Sequence, residues 1–330
     1  MAGFIASYLS QAPMLILLVV MAISFLLLAK SADKAIDYAV ALAQATGLPN
    51  VVIGATIVSL GTTFPEAVVS VLAAIKGNAS LALGNAVGSI ICDTALIMGL
   101  TCMIGQVPIA SPTMRRRGIM QLSAVLLLVL LCLPIAGVGS LSQLEGILLV
   151  VLLIAYLGYS LYGSNDKQDT PTATTGKWLH VAKLVAMFPL IYVFSELLIE
   201  ASKELALRMH IPDAVIAATI VAFGTSLPEL MTAISAIRRK ACDLALGNII
   251  GADILNVLFV AGVAASVTPA GLAADPVFYT KLFPVMVLSV AMLQGGVYLA
   301  HRRQQCYISK SVGVLLCSTY LGYIALQYLF

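Results

Sequence analysis

Charge is what this sequence has least of. Asp, Glu, Lys and Arg together make up only 10% of its 330 residues, where a soluble domain of this length carries about 25%. That is too little polar surface to coat a water-soluble globule. The apolar stretches recur along the whole chain, with 61% hydrophobic residues and a mean hydropathy of +1.03. A soluble domain with one anchor is therefore excluded. The net charge of +3 is too small to argue for a nucleic-acid partner. No G-x-x-x-x-G-K-[ST] sequence occurs, so nothing points to ATP-driven work. The six cysteines, Cys92, Cys102, Cys132, Cys242, Cys306 and Cys317, form no CxxC pair. Most lie in apolar segments, where small buried or lipid-facing residues belong. His180, His210 and His301 sit at the ends of apolar runs and form no metal cluster, and no nucleophile–base pair is visible, so an enzyme is not expected. The N-terminus lacks the basic region of a cleavable signal peptide. Its first positive residue, Lys30, follows a long apolar run that reads as a first membrane span.

At about 20 residues per membrane helix, the length allows roughly ten spans with short loops. The apolar runs predict helices near 13–29, 48–75, 79–104, 118–137, 141–163, 178–201, 212–237, 242–267, 277–300 and 309–329. The runs 48–75 and 212–237 carry Gly and Pro inside, so each is expected to break or kink. With ten spans, one set of alternate loops holds thirteen Lys and Arg residues, including Arg115, Arg116 and Arg117, and the opposite set holds four. The basic side should be cytoplasmic, which places both termini outside. Arg115–Arg117 is most simply a topology determinant.

The chain also repeats itself. At an offset of 163 residues, Gly61-Thr62-Thr63-Phe64-Pro65-Glu66 falls on Gly224-Thr225-Ser226-Leu227-Pro228-Glu229. Leu81-Ala82-Leu83-Gly84-Asn85-Ala86-Val87-Gly88 falls on Leu244-Ala245-Leu246-Gly247-Asn248-Ile249-Ile250-Gly251, and Pro49 on Pro212. Between 53 and 99, 18 of 47 positions are identical without a gap; chance in such apolar sequence would give about 10%. Each half holds five spans, an odd number, so the second copy should enter the membrane inverted. The expected fold is an all-α membrane protein of about ten transmembrane helices in two inverted five-helix repeats. Residues 1–163 form the first repeat, 164–177 a cytoplasmic linker and 178–330 the second repeat.

An ionised carboxylate in the bilayer interior costs at least a few kcal/mol, so intramembrane acids need a reason. The predicted spans place four deep: Glu66, Asp93, Glu229 and Asp253. Glu66 and Glu229 are repeat mates, while Asp93 is matched by Asn256 and Asp253 by Ile90. Pro65 and Pro228 cannot donate a backbone N–H and free carbonyl oxygens one turn earlier. Gly61 and Gly224 let the backbone leave the helix or be approached closely. Thr62, Thr63, Thr225 and Ser226 add hydroxyls. The result is a cluster of hard oxygen ligands, with only the thiol of Cys92 nearby, which suits Ca²⁺ and Na⁺ rather than zinc or copper. Gly84/Gly88 and Gly247/Gly251 are spaced i, i+4 and read as close-packing faces. Asn85 and Asn248 either ligate or bridge helices. Asp93 and Asn256 are expected to line the same cavity, and Asp253, three residues before Asn256, to face a similar side. Glu196 and Glu200 share a helix face and read as interfacial or entry-path groups. Asp33, Asp37, Glu145, Asp166, Asp169, Asp213, Asp243 and Asp275 fall in loops or near helix ends.

At these residues the chain resembles the cation/calcium exchanger superfamily, and within it the membrane region of prokaryotic sodium/calcium exchangers. That family carries two inverted repeats of the form G-T-S-x-P-E followed by G-N-x-x-G-S-N. The resemblance implies that Glu66 and Glu229 are central ligands shared by Ca²⁺ and Na⁺. It implies that Thr62 and Thr225 give oxygens to the calcium position, that Ser89 helps a flanking sodium site, and that Asp93 and Asn256 take the polar positions beyond. It also implies the inner membrane of a prokaryote, Ca²⁺ and Na⁺ (or H⁺) as transported ions, no further cofactor, and no required oligomer. The sequence departs from the pattern at Thr63 and Ala252 for serine, and at Ile90 and Asp253 for asparagine. These departures leave the calcium-type centre intact but bear on the number of sodium sites. Acids crowded in a low-dielectric cavity repel one another unless cations are bound, which favours obligatory exchange by alternating access. A proton-coupled calcium exchanger is the alternative, and a cation channel a more distant one.

Overall fold

The computed structural model describes residues 2–45, 59–108, 112–134, 139–162, 177–238 and 242–328. The expected linker falls almost wholly outside them, as do Pro49 and the first part of the run 48–75. The described chain is helical nearly throughout. An N-terminal helix that the apolar runs did not separate, α1 (Ala2–Gln11), precedes α2 (Met14–Ala45). Pro13 parts them, because it cannot donate to a helix already under way. α2 continues well beyond residue 29, since the polar residues after Lys30 stop an apolar run without stopping a helix.

Next come α3 (Ser59–Thr62) and α4 (Phe64–Ile75), then α5 (Ala79–Ile104), α6 (Pro112–Leu131), α7 (Gln143–Tyr162) and α8 (Lys177–Met209). The second half continues with α9 (Asp213–Thr225), α10 (Leu227–Arg238), α11 (residues 242–266), α12 (Phe278–Arg302) and α13 (Lys310–Tyr328). Among the described residues, 79–104, 245–266 and 278–302 are single helices long and apolar enough to cross a membrane. α9 and α10 form a fourth such segment, bent by 42° at their junction. A two-residue ladder, β1 (Ser140–Leu141) against β2 (Leu272–Ala273), ties the start of α7 to the loop before α12.

Short-range hydrogen bonds and one glycine set several helix ends. Asn78 precedes α5 and accepts from the Leu81 N–H at 3.0 Å, a side-chain N-cap. Ser142 and Glu145 form a capping box: the Ser142 N–H and hydroxyl both donate to Glu145 Oε2 at 2.7 Å, and the Glu145 N–H donates back to Ser142 Oγ at 3.3 Å. Gly77, at φ +79°, ends α4 in the left-handed conformation that glycine adopts without strain.

The centre of the molecule is the crossing of α5 on α9. Gly84 and Gly88 form the contact. A Cβ on Gly88 would lie 2.3 Å from Ala218 Cα, and one on Gly84 would lie 2.7 Å from the Ala214 carbonyl oxygen. The i, i+4 glycines are therefore the close-packing face expected of them. α2 packs chiefly along α8.

Candidate functional site

Both glutamates of the duplicated motif sit in the first turn after a helix break. On the first side, α3 ends at Thr62, Thr63 is the turn, and α4 begins with Phe64-Pro65-Glu66. On the second, α9 ends at Thr225, Ser226 is the turn, and α10 begins with Leu227-Pro228-Glu229. Proline is suited to this place. Its missing N–H would be unpaired in a first turn anyway, and its fixed φ is already helical. The break therefore starts a new helix with a carboxylate near its N-terminus, where the backbone dipole favours negative charge.

The two carboxylates come together. Glu66 and Glu229 interact electrostatically with each other and with Asp93. Glu66 is flanked by the Thr225 and Ser226 hydroxyls of the opposite half, and Glu229 by the Thr62 hydroxyl. Each motif therefore lends its hydroxyls to the other's acid. All three acids are at most 1% exposed. Both oxygens of Glu66, both of Asp93 and one of Glu229 have no hydrogen-bond partner of ordinary geometry, nor do the hydroxyls of Thr63, Ser89 and Ser226 or Asn256 Oδ1. Buried polar atoms in proteins are nearly always paired, so the unpaired oxygens of three acids that interact with one another call for a ligand. Among the described residues no ion pair reaches these acids. Nor do three His, Cys, Asp or Glu side chains converge on one metal position. The donors are carboxylates mixed with hydroxyls and amides, a set that fits a hard cation. The Cys92 thiol lies within electrostatic reach of all three acids.

Asn85 acts as a bridge. Its Nδ2 donates to the Glu66 carbonyl at 3.2 Å and to Ser70 Oγ at 3.0 Å, and its Oδ1 accepts from Thr225 Oγ1 at 3.3 Å. It thus fastens the first glutamate's helix to the second motif. Asn248 does not reproduce this. Its Nδ2 is unpartnered, and the residue matching Ser70 is Ala233, which has no hydroxyl. Gly224 is approached by the ring of Phe25, where a Cβ would lie 2.0 Å from a ring carbon. That explains glycine at this position better than backbone freedom does.

Asp93 and Asn256 stand at equivalent places in unusual backbone. Each opens, or nearly opens, a π-helical turn, Cys92–Ile97 in α5 and Asn256–Ala261 in α11. Such turns widen a helix and recur at functional sites; no periodicity in the sequence announces them. Asp253 is turned to different neighbours. Its Oδ2 accepts from Thr94 Oγ1 at 2.5 Å and from Gln121 Nε2. The sequence reading missed Thr94, Gln121 and Gln294. Gln121 was detectable as a lone amide inside an apolar run, where a polar side chain implies a partner on another helix.

Glu196 and Glu200 lie apart from this centre. Both accept from Lys76 Nζ, at 2.5 and 2.7 Å, at the far end of α4 from Glu66, about 15 Å away along the helix. Partial burial works against the Lys76 charge, but its hydrogen bonds to the two glutamates outweigh this and raise its pKa above the usual lysine range.

A family model described as sodium/calcium exchanger protein matches the chain twice, over residues 16–162 and 179–329. The two matches begin 163 residues apart, which is the offset of the internal repeat. The inner membrane protein YrbG of Escherichia coli is 31% identical over 96% of this chain and 98% of its own length. The putative antiporter CaxA of Alkalimonas amylolytica is 31% identical over 96% of this chain and 99% of its own. A solved structure of the sodium-calcium exchanger NCX_Mj, soaked with 10 mM Na⁺ and zero Ca²⁺, is similar at a TM-score of 0.65 and 26% identity. That match covers 95% of this chain and 99% of the other.

Proposed function

The chain belongs to the sodium/calcium exchanger protein family, a family of membrane cation antiporters, and from that premise we propose that it exchanges Ca²⁺ for Na⁺ by alternating access. The observation that carries the reading is the joining of Glu66 and Glu229, each just after a helix break, in a buried group of unpaired oxygens that no ion pair among the described residues reaches.

In this reading Glu66 and Glu229 hold the divalent ion, with Thr62 and Thr225 supplying neutral oxygens. Thr63, Ser226 and Ser89 flank the centre and serve sodium, and Asp93 and Asn256 line the cavity between. Asn85 keeps the two halves in register, and Asn248 lies at the corresponding place of the other half. The acids repel one another when no cation is present, so carrying an empty site across is unfavourable, and one ion must replace the other. The two halves are inverted copies of five spans each, with the basic loops in the cytoplasm and both termini outside. The double family match at the repeat offset supports the duplication. The helices outside the four motif segments move against them.

The test is ⁴⁵Ca uptake into proteoliposomes with an outward Na⁺ gradient. The native chain should accumulate Ca²⁺, and Glu66→Gln and Glu229→Gln should each abolish uptake. Full sodium-driven uptake in both variants refutes the assignment. Uptake driven by an outward proton gradient, and not by Na⁺, would instead establish proton coupling at the same site.

A further inference from the structure

Asp253 is the deep acid that neither motif explains. Its repeat mate is Ile90, apolar and fully buried, so the acid occurs in one half only. The carboxyl is itself fully buried, and among the described residues no ion pair includes it. One oxygen, Oδ2, accepts from Thr94 Oγ1 and Gln121 Nε2. The other, Oδ1, has no partner.

The surroundings are built rather than incidental. Gln121 is wholly buried on α6, and its Oε1 accepts from Gln294 Nε2 of α12 at 2.6 Å. Gln294 is seated on Gly118, where a Cβ would lie 2.1 Å from the amide oxygen. Four helices, α5, α6, α11 and α12, thus converge on one carboxylate. Two of them, α6 and α12, carry no part of the duplicated motif.

The chemistry restricts what this cup can hold. A carboxylate at membrane depth is unfavourable unless something neutralises it, and here the Asp93 carboxylate repels it further. Hydrogen bonds from a hydroxyl and an amide orient the carboxylate but do not cancel its charge. One carboxylate balances one positive charge. A divalent ion such as Ca²⁺ takes six to eight oxygens and more negative charge. The oxygens of Asp253 and Thr94 are hard, Gln121 turns an N–H rather than its oxygen to the carboxylate, and these residues offer no imidazole or thiol, which excludes soft metals. We propose that the Asp253 carboxylate and the Thr94 hydroxyl, with Gln121 orienting the carboxylate through its N–H, form a site for a single sodium ion beside the centre of Glu66 and Glu229. The proposal rests on the exchanger reading only for the choice of ion.

The test reads binding, not transport. Equilibrium ²²Na⁺ binding is measured on the purified full chain in detergent, starting from a Glu66→Gln/Glu229→Gln parent. The parent should retain one Na⁺ per chain that excess Ca²⁺ does not displace. Adding Asp253→Asn should remove it, and adding Gln121→Leu instead should weaken it about tenfold. Gln121→Leu places an apolar residue in an apolar span, so the test survives if the Asp253 variant fails to fold. A parent that binds no Na⁺, as a carboxyl neutralised by a proton would give, overturns the proposal. So does retained Na⁺ that Ca²⁺ displaces, or that persists unweakened in both added variants. If the native chain transports no Ca²⁺ yet the parent holds this ion, the exchanger reading fails and the site stands.

Discussion

Replacing Gly88 by alanine should disable the ion site without touching a single proposed ligand. The new Cβ would lie 2.3 Å from Ala218 Cα, 2.4 Å from its carbonyl oxygen and 2.6 Å from its carbonyl carbon. All three are backbone atoms, so no side chain can swing aside. Ordinary contact needs about 3.5 Å between carbons, so α5 and α9 must separate by about 1 Å. Overpacking of this kind costs about 1–3 kcal/mol of stability. The functional loss should be larger. Asn85 lies one turn before Gly88 on α5, where it holds the Glu66 carbonyl of α4 and reaches across to Thr225 Oγ1 of α9, the latter bond already at 3.3 Å. A displacement of about 1 Å breaks that bond and parts Glu66 from the Thr225 hydroxyl. Misplacing reacting groups by such a distance typically costs about a hundredfold. The assay is initial ⁴⁵Ca uptake at saturating Na⁺ gradient, alongside a thermal melt in detergent. Gly158→Ala is the control, because nothing lies within 4 Å of a Cβ there. Uptake should fall about a hundredfold in Gly88→Ala and stay at the native rate in Gly158→Ala. Native uptake and melting in Gly88→Ala would show that the α5–α9 crossing does not set the site, and the reasoning would fail.

Two further outcomes concern the asparagine bridge and, apart from the centre, the Lys76 ion pairs. Asn85→Leu removes three hydrogen bonds and should destabilise the protein by about 2–3 kcal/mol, at about 1 kcal/mol each. Asn248→Leu should cost less because its Nδ2 bonds to nothing; equal losses of denaturation midpoint in the two variants would contradict the asymmetry. Lys76→Met leaves Glu196, 1% exposed, without its cation, and should cost about 3 kcal/mol if fully buried pairs are the guide, reduced because Lys76 is partly solvated. Since the folded-state pKa of Lys76 is raised, this contribution is fully present below the usual lysine pKa and is lost as pH climbs through the raised value. The melting difference between native and Lys76→Met should therefore hold constant from neutral pH to about 10 and shrink above it; a difference that vanishes by pH 8 would refute the pairing.

Much of this protein is legible without coordinates. Low charge forces it into a membrane, because too few polar groups exist to face water. The 163-residue offset identifies Glu66 and Glu229 as one feature stated twice, and proline before each glutamate marks where a helix must restart. Those properties are local or compositional, so the chain carries them before it folds. Other properties depend on which helices cross, and at what distance. Gly88 becomes indispensable only because Ala218 approaches it, and Asn85 becomes a bridge only because Ser70 and Thr225 lie within reach while Ala233 denies the same to Asn248. Asp253 looked like a neighbour of Asn256 by helical spacing. Its actual partners, Thr94 and Gln121, lie 159 and 132 residues away in the chain. The sequence alone determined that four acids had to be buried and that two of them were equivalent. Only tertiary packing decided which oxygens each acid would meet, because hydrogen bonds reach about 3 Å and sequence patterns say nothing of distances between separate helices.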